Sequence, residues 1–283
     1  MKNQKLSQII MGILPKSFIS RVFGYIALIP LPPVFMNMLI RWYSKKFGVS
    51  IEEAVIPEKG FKNLNSFFTR KLKDGVLIVD KDEKSVVATT DSRIDEFGDI
   101  TEDIMIQAKG LDYSLRDLIP SVMAESFIDG KFITLYLSPG DYHRIHSPVS
   151  GKITGFYNIP GKLYSVQESV VKSLKGLFVV NERLVTYIDT GKGMTAVCKI
   201  GALNVGKISI PYDNVVTNKF LRKRNEVIYP EGKEPVINKG EEVGVFNMGS
   251  TVIILFEKGM IDFKSFKRGE KVRVGQAIGY YKK

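Results

Sequence analysis

The chain has 283 residues, 44% hydrophobic and 25% charged, with 17 Phe and 12 Tyr; this fits one or two globular domains and excludes global disorder. A single cysteine, Cys198, rules out an intramolecular disulfide and a multi-thiolate zinc centre, and two histidines leave no His-rich metal site. The formal charge of +11 points to an acidic partner, either nucleic acid or an anionic membrane surface.

The charge is concentrated at the start. Lys2, Lys5, Lys16, Arg21, Arg41, Lys45 and Lys46 precede the first acid, Glu52, so residues 1–51 carry seven of the eleven net charges. Between Arg21 and Arg41 lies a charge-free stretch, Val22 to Ile40. It has about the length of a membrane span, but Pro30, Pro32 and Pro33 interrupt it and argue for two short apolar pieces. In the second piece Val34, Phe35, Met38, Leu39, Trp42 and Phe47 recur at helical spacing, with Asn37, Arg41 and Lys45 opposite. This is the pattern of a basic amphipathic helix in the membrane interface, with Phe35, Met38, Leu39, Arg41, Trp42, Lys45 and Lys46 as its contact residues. A helix packed on the main domain is the plainer alternative. Zinc-finger spacing and ribonucleoprotein motifs are missing, so nucleic acid is not expected. The late, Pro-containing apolar run is a poor secretory signal, and the arm reads as a retained peripheral anchor on the cytoplasmic face of the inner membrane.

Ile51 to about Lys73 reads as helical, with Asn65 or Ser66 as a cap. Beyond residue 76 short Val/Ile/Tyr/Phe/Thr runs alternate with Gly, Pro and Asp. They are Lys131–Leu137, Gly151–Tyr157, Leu177–Val180, Leu184–Asp189, Thr195–Ile200, Lys207–Ile210, Thr251–Glu257 and Lys271–Ile278. Gly110 to Pro120 holds a short helix opened by Ser114. The expected class is α+β: amphipathic helices in residues 1–60, then a β-rich sandwich or barrel-like catalytic domain over 61–283.

Three constellations carry candidate chemistry. Both histidines, His143 and His146, fall within Asp141-Tyr142-His143-Arg144-Ile145-His146-Ser147, directly after a Ser138-Pro139-Gly140-Asp141 turn. Positions i and i+3 of a strand face opposite sides, so two separate jobs suit them better than one shared metal. Phe246-Asn247-Met248-Gly249-Ser250-Thr251 contains the only Gly-Ser pair in the chain. A serine hydroxyl beside an accessible glycine carbonyl can attack it once a base takes the proton, although a plain turn entering a strand fits as well. The third is Asp91 in Thr89-Thr90-Asp91-Ser92, a turn former that could join a His and a Ser in a base-assisted nucleophile.

Taken together, the residues resemble the bacterial phosphatidylserine decarboxylase family. The resemblance rests on Ser66-Phe67-Phe68-Thr69-Arg70, Asp91 before Arg93-Ile94, Lys109-Gly110 with Tyr113-Ser114-Leu115, and Tyr136-Leu137-Ser138-Pro139. It continues through Asp141-Tyr142-His143-Arg144 with His146 and Pro148, Gly161-Lys162-Leu163 with Ser165-Val166, Asn181-Glu182-Arg183, Gly201–Gly206 and Gly249-Ser250-Thr251. Met248, Gly140 and Gln167 depart from the usual Leu, Arg and Asn at those places. The resemblance implies a proenzyme that cuts itself between Gly249 and Ser250 into chains 1–249 and 250–283, with Asp91 orienting His146 and His146 acting as base toward Ser250. Ser250 would become a covalent pyruvoyl group, which takes the serine headgroup amine of phosphatidylserine as a Schiff base, releases CO2 and gives phosphatidylethanolamine. His143 would serve the decarboxylation or reprotonation step. The implied partners are the phosphatidylserine substrate, an anionic membrane surface, and the two chains as a heterodimer able to pair into a dimer of heterodimers. No metal or nucleic acid is called for. Two rival readings are a lipid serine hydrolase using Ser250, His146 and Asp91, which lacks the Gly-x-Ser-x-Gly elbow, and a non-enzymatic membrane-binding β module.

Overall fold

In a computed structural model, residues 22, 24–108, 111–203, 207–218, 223–247 and 251–282 are described; the Gly249-Ser250 pair, Lys109-Gly110 and residues 1–21 lie outside them. Helix α1 spans Pro33–Phe47, opened by a proline in its first turn and closed by Gly48 in the left-handed region at φ 70°. Its inner face is Met36, Ile40 and Tyr43, which bury against Ala27, Val49, Phe61, Phe67 and Phe68 in a small core of their own. Leu39 and Phe47 lean partly into that core, while Val34, Phe35, Met38 and Trp42 stay 53–78% exposed. The packed-helix reading therefore holds for the inner face, and the outer face is left apolar and exposed. Leu39, placed with the membrane-contact residues by spacing, belongs to the inward side.

The helix expected over Ile51–Lys73 shrinks to α2, Leu64–Phe68. Its cap is Asn63, two residues before the positions considered: the Asn63 side chain accepts from the Ser66 N–H at 2.8 Å, and the Ser66 hydroxyl accepts from the Asn63 N–H. That reciprocal pair starts a helix late in the segment, after loops that hold Phe61 in the small core.

Strands dominate the rest. Nine form one sheet in the order Asn225–Ile228, Gly151–Ile159, Arg183–Asp189, Met194–Ile200, Thr251–Phe256, Lys131–Tyr136, Ser92–Asp99 and Lys271–Val272, with Val236–Ile237 also pairing to Gly151–Ile159. The expected barrel is not closed among the described residues: the sheet ends in strands of four and two residues that pair with no common neighbour. Leu177–Val180, expected as a strand, is a helical turn entered through Gly176 at φ 68°, and its first N–H donates to the Gln107 side chain. Lys271–Ile278 breaks into Lys271–Val272 and Ala277–Tyr281 around Gly275 at φ 83°, where only a residue without Cβ sits easily. The short helix opened by Ser114 is present as Leu115–Leu118.

One strand decides where the chemistry can be. Thr251–Phe256 is buried along its whole length, as expected of an unbroken apolar run in a sheet centre. Thr251 pairs with Tyr136 on one side and Ile200 on the other. The residue that follows Ser250 is therefore fixed in the middle of the main sheet.

Candidate active site

A second, three-stranded sheet sets the histidine segment beside the strand that precedes the Gly-Ser pair in the sequence. Arg144–His146 pairs with Glu242–Asn247, with Arg144 opposite Val245 and His146 opposite Glu242. The Phe246 N–H donates to the His143 carbonyl at 3.0 Å. The strand carrying both imidazoles thus lies hydrogen-bonded beside the strand that runs directly into Met248-Gly249-Ser250. On the far side of that segment, Thr251 is neighbour to Tyr136, two residues before the Ser138–Asp141 turn.

The turn is closed by the Asp141 N–H to the Ser138 carbonyl and by the Ser138 N–H to the Asp141 carboxylate at 2.6 Å, an Asp-stabilised turn. His143 follows it fully buried. Its Nδ1 lies 2.7 Å from the Asp141 carbonyl, which can only accept, so Nδ1 carries the proton and Nε2 the lone pair. Nε2 has no hydrogen-bond partner among the described residues. The ring lies against Phe68 at 4.0 Å, tilted by 42°, and burial pushes its pKa down to about 3.

His146 repeats the tautomer with different neighbours. Nδ1 is 2.7 Å from the Gly240 carbonyl, which leaves Nε2 to accept the Tyr142 hydroxyl at 3.1 Å. The Tyr142 and His146 rings stack at 5.6 Å and 24°. Burial holds His146 below the usual imidazole pKa, opposed by the Gly240 bond and by the charges of Glu242 and Asp91. Burial also pushes the Tyr142 phenol upward, so it stays a donor. Two histidines three residues apart thus present two different Nε2 lone pairs, one capped by a phenol and one bare.

Asp91 reaches the same place through its neighbours. The His146 N–H donates to the Thr89 carbonyl at 2.8 Å, and the Thr90 hydroxyl donates to the Tyr142 carbonyl at 2.6 Å. The Asp91 carboxylate itself accepts from the Val274 N–H at 2.9 Å, at the break in the C-terminal strand. It makes no hydrogen bond to His146, whose ring nitrogens are both engaged; its effect on the imidazole is through its charge. Burial raises the Asp91 carboxyl above its ordinary range, against the Val274 N–H and the nearby Arg273 and Arg70. Asp91 also lines a cavity of about 380 Å³ with Glu53, Lys264 and Arg273.

A second cavity, about 290 Å³, is lined by Arg93, Gln107, Glu168, Lys172 and Arg268 among others. Arg93 stands opposite Tyr136, the neighbour of Thr251, with its guanidinium 5.1 Å above the Tyr136 ring. Arg93 is paired with Asp95 at 2.8 Å and Arg268 with Glu96 at 2.6 Å.

Sequence reasoning left out the groups that define both imidazoles. Tyr142 lay inside the quoted heptapeptide, four residues from His146, and its hydroxyl was the available signal. The Gly240 carbonyl gave none, being 94 residues from the histidine it serves.

The family model described as Phosphatidylserine decarboxylase matches residues 64–280. A protein of Myxococcus xanthus named phosphatidylserine decarboxylase proenzyme is 40% identical over 272 residues, covering 95% of this chain and 96% of its own. Proteins of the same name from Acinetobacter baumannii (strain AYE) and Brevibacillus brevis are 39% and 36% identical, each covering 94% of its own length. With the match running from α2 through the histidine turn to the last strand, the chain belongs to the phosphatidylserine decarboxylase family.

Proposed function

We propose that this chain is a self-processing phosphatidylserine decarboxylase that makes its prosthetic group from Ser250. The observation that carries the reading is the pairing of the His143–His146 segment alongside the strand entering Gly249-Ser250. His146 Nε2, neutral and unprotonated, takes the Ser250 hydroxyl proton, and the oxygen attacks the Gly249 carbonyl carbon. The Gly249–Ser250 C–N bond breaks, leaving an ester and a free amine at residue 250. Loss of the residue-250 Cα proton expels the Gly249 carboxylate and leaves dehydroalanine; water then replaces the nitrogen, which departs as ammonia. Asp91 favours the transient imidazolium through its negative charge.

Residues 250–283 would not fall away after the break. Thr251–Phe256 is held between Lys131–Tyr136 and Met194–Ile200, and Ala277–Tyr281 pairs with Ser85–Val87. The two chains form a heterodimer through an unbroken core.

The buried, unpartnered Nε2 of His143 fits a reacting group placed at residue 250. A pyruvoyl carbonyl supplies an electron sink for the pair released as CO2 leaves. His143 has the lone pair to take a proton from the headgroup ammonium. Incubation of the purified chain with phosphatidylserine in detergent micelles should yield phosphatidylethanolamine and CO2. Intact mass should show two chains divided after Gly249, the smaller without its amino nitrogen. One full-length mass in an active preparation overturns the proposal, as does activity that survives hydroxylamine.

The outer face of α1 supports peripheral binding to an anionic bilayer on the cytoplasmic side. No helix among the described residues is long and apolar enough to cross a membrane. Val34, Phe35, Met38 and Trp42 are exposed on one face, with Lys46 Nζ 4.8 Å from the Trp42 ring and Arg41 and Lys45 alongside. A Phe35→Ala/Trp42→Ala chain should bind phosphatidylserine-containing vesicles at least ~10-fold more weakly, since two aromatic anchors contribute roughly 2–3 kcal/mol when buried. Equal sedimentation of parent and variant counts against this surface.

A further inference from the structure

The turn before His143 is held from outside by the helix that carries the exposed apolar face. Its last three carbonyls are each held, with Arg70 Nη2 also reaching the Asp141 carbonyl at 3.5 Å. Pro139 accepts the Tyr43 hydroxyl at 2.9 Å, Gly140 accepts Arg70 Nη2 at 3.1 Å, and Asp141 accepts His143 Nδ1–H at 2.7 Å. Tyr43 is wedged between Phe47 at 4.5 Å and Phe67 at 5.8 Å, so its hydroxyl has little freedom to leave Pro139. The C-terminal end of α1 also touches the turn directly: a Cβ on Gly140 would stand 2.1 Å from the Phe47 carbonyl oxygen. Any side chain at 140, including the arginine usual in proteins of this resemblance, would displace α1 or the turn.

We propose that Tyr43, together with the bare backbone of Gly140, is a positioning residue for His143. It holds the turn so that the Asp141 carbonyl fixes the imidazole with Nε2 aimed at the reacting position. This rests on the reading of His143 as the decarboxylation residue. Phe68, from α2, closes the opposite side of the ring at 4.0 Å, so the imidazole is oriented by one hydrogen bond and one ring contact, both supplied through the small N-terminal core. Burial raises the Tyr43 phenol to about 12, which keeps it a donor throughout the working range.

Because the chain has only His143 and His146, acylation by diethyl pyrocarbonate can be followed at each ring by peptide mass spectrometry. In the full-length processed protein, Tyr43→Phe keeps the aromatic packing and removes only the hydroxyl. It is expected to raise the His143 acylation rate about fivefold, the effect of one lost buried hydrogen bond, with His146 within twofold of the parent. The kcat for phosphatidylserine should fall by a similar factor at unchanged KM, with processing complete. Gly140→Ala should show the same pattern by a steric route. Unchanged His143 labelling in Tyr43→Phe overturns the proposal, and so does equal acceleration at both histidines, which would mean general loosening. If His143→Ala decarboxylates normally, the role given to His143 fails, while the labelling still reports whether Tyr43 holds the ring.

Discussion

His146→Ala is expected to leave the chain uncut, with one full-length mass where the parent gives two, and no decarboxylation. The argument is the tautomer. Gly240 offers only a carbonyl, so it fixes the proton on Nδ1 and leaves the lone pair on Nε2. The group now on that lone pair is the Tyr142 hydroxyl, which must yield it to Ser250 or pass the proton along. Removal of a positioned base commonly lowers a rate by about 10²–10⁴, enough to keep a newly made chain intact for days if the parent matures in minutes. The pH dependence has a definite sign. Burial keeps His146 deprotonated below its ordinary pKa, so maturation of a freshly translated chain should hold its rate as pH falls through 6.5 and decline only below it. A decline centred above pH 7 would contradict a desolvated base, and a cut His146→Ala product would remove His146 from the role altogether.

How much of this could be read from the chain depends on the range of the interaction. Short-range signals carried well: the Thr251–Phe256 strand was visible as an unbroken apolar run and Ser114 as a cap. Segments failed where a distant contact overrode local pattern. Leu177–Val180 looks like a strand by composition, yet Gly176 and the Gln107 side chain turn it into a helical turn. Ile51–Lys73 has helical spacing, yet Phe61 and Phe67 meet edge to face at 5.4 Å because a loop separates them. On α1 the mean pattern announced one apolar face; the inner face of Met36, Ile40 and Tyr43 was hidden because its partners come from residues 49–68. The site shows the same division. The closeness of the two histidines in sequence was legible, but the hydrogen bonds that assign each imidazole its proton come from the backbone carbonyls of Gly240 and Asp141, which no side-chain pattern reveals.

His143→Ala is expected to mature into two chains like the parent and to decarboxylate phosphatidylserine about 10²–10⁴-fold more slowly, the range for loss of a positioned proton-transfer group. The two imidazoles are expected to separate the two reactions because His146 has its Nε2 capped by a hydroxyl, while that of His143 is buried with no partner among the described residues. A bare lone pair in a dry site is unfavourable by roughly 1–3 kcal/mol. It would be satisfied when a donor arrives, and the headgroup ammonium is such a donor. Burial lowers the His143 pKa to about 3, so free His143 is neutral at any working pH with its lone pair available, and a proton taken from the ammonium stays on it only transiently. The resulting imidazolium then holds the proton beside the carbon that loses CO2 and can return it there, so that no exchange with water is required. In deuterium oxide the product should carry one deuterium at that carbon, and His143→Ala should lower the rate of its appearance without changing the chain masses. Should His143→Ala and His146→Ala both block the cut, the separation of roles is lost; should His143→Ala decarboxylate within threefold of the parent, the proton must travel by another group.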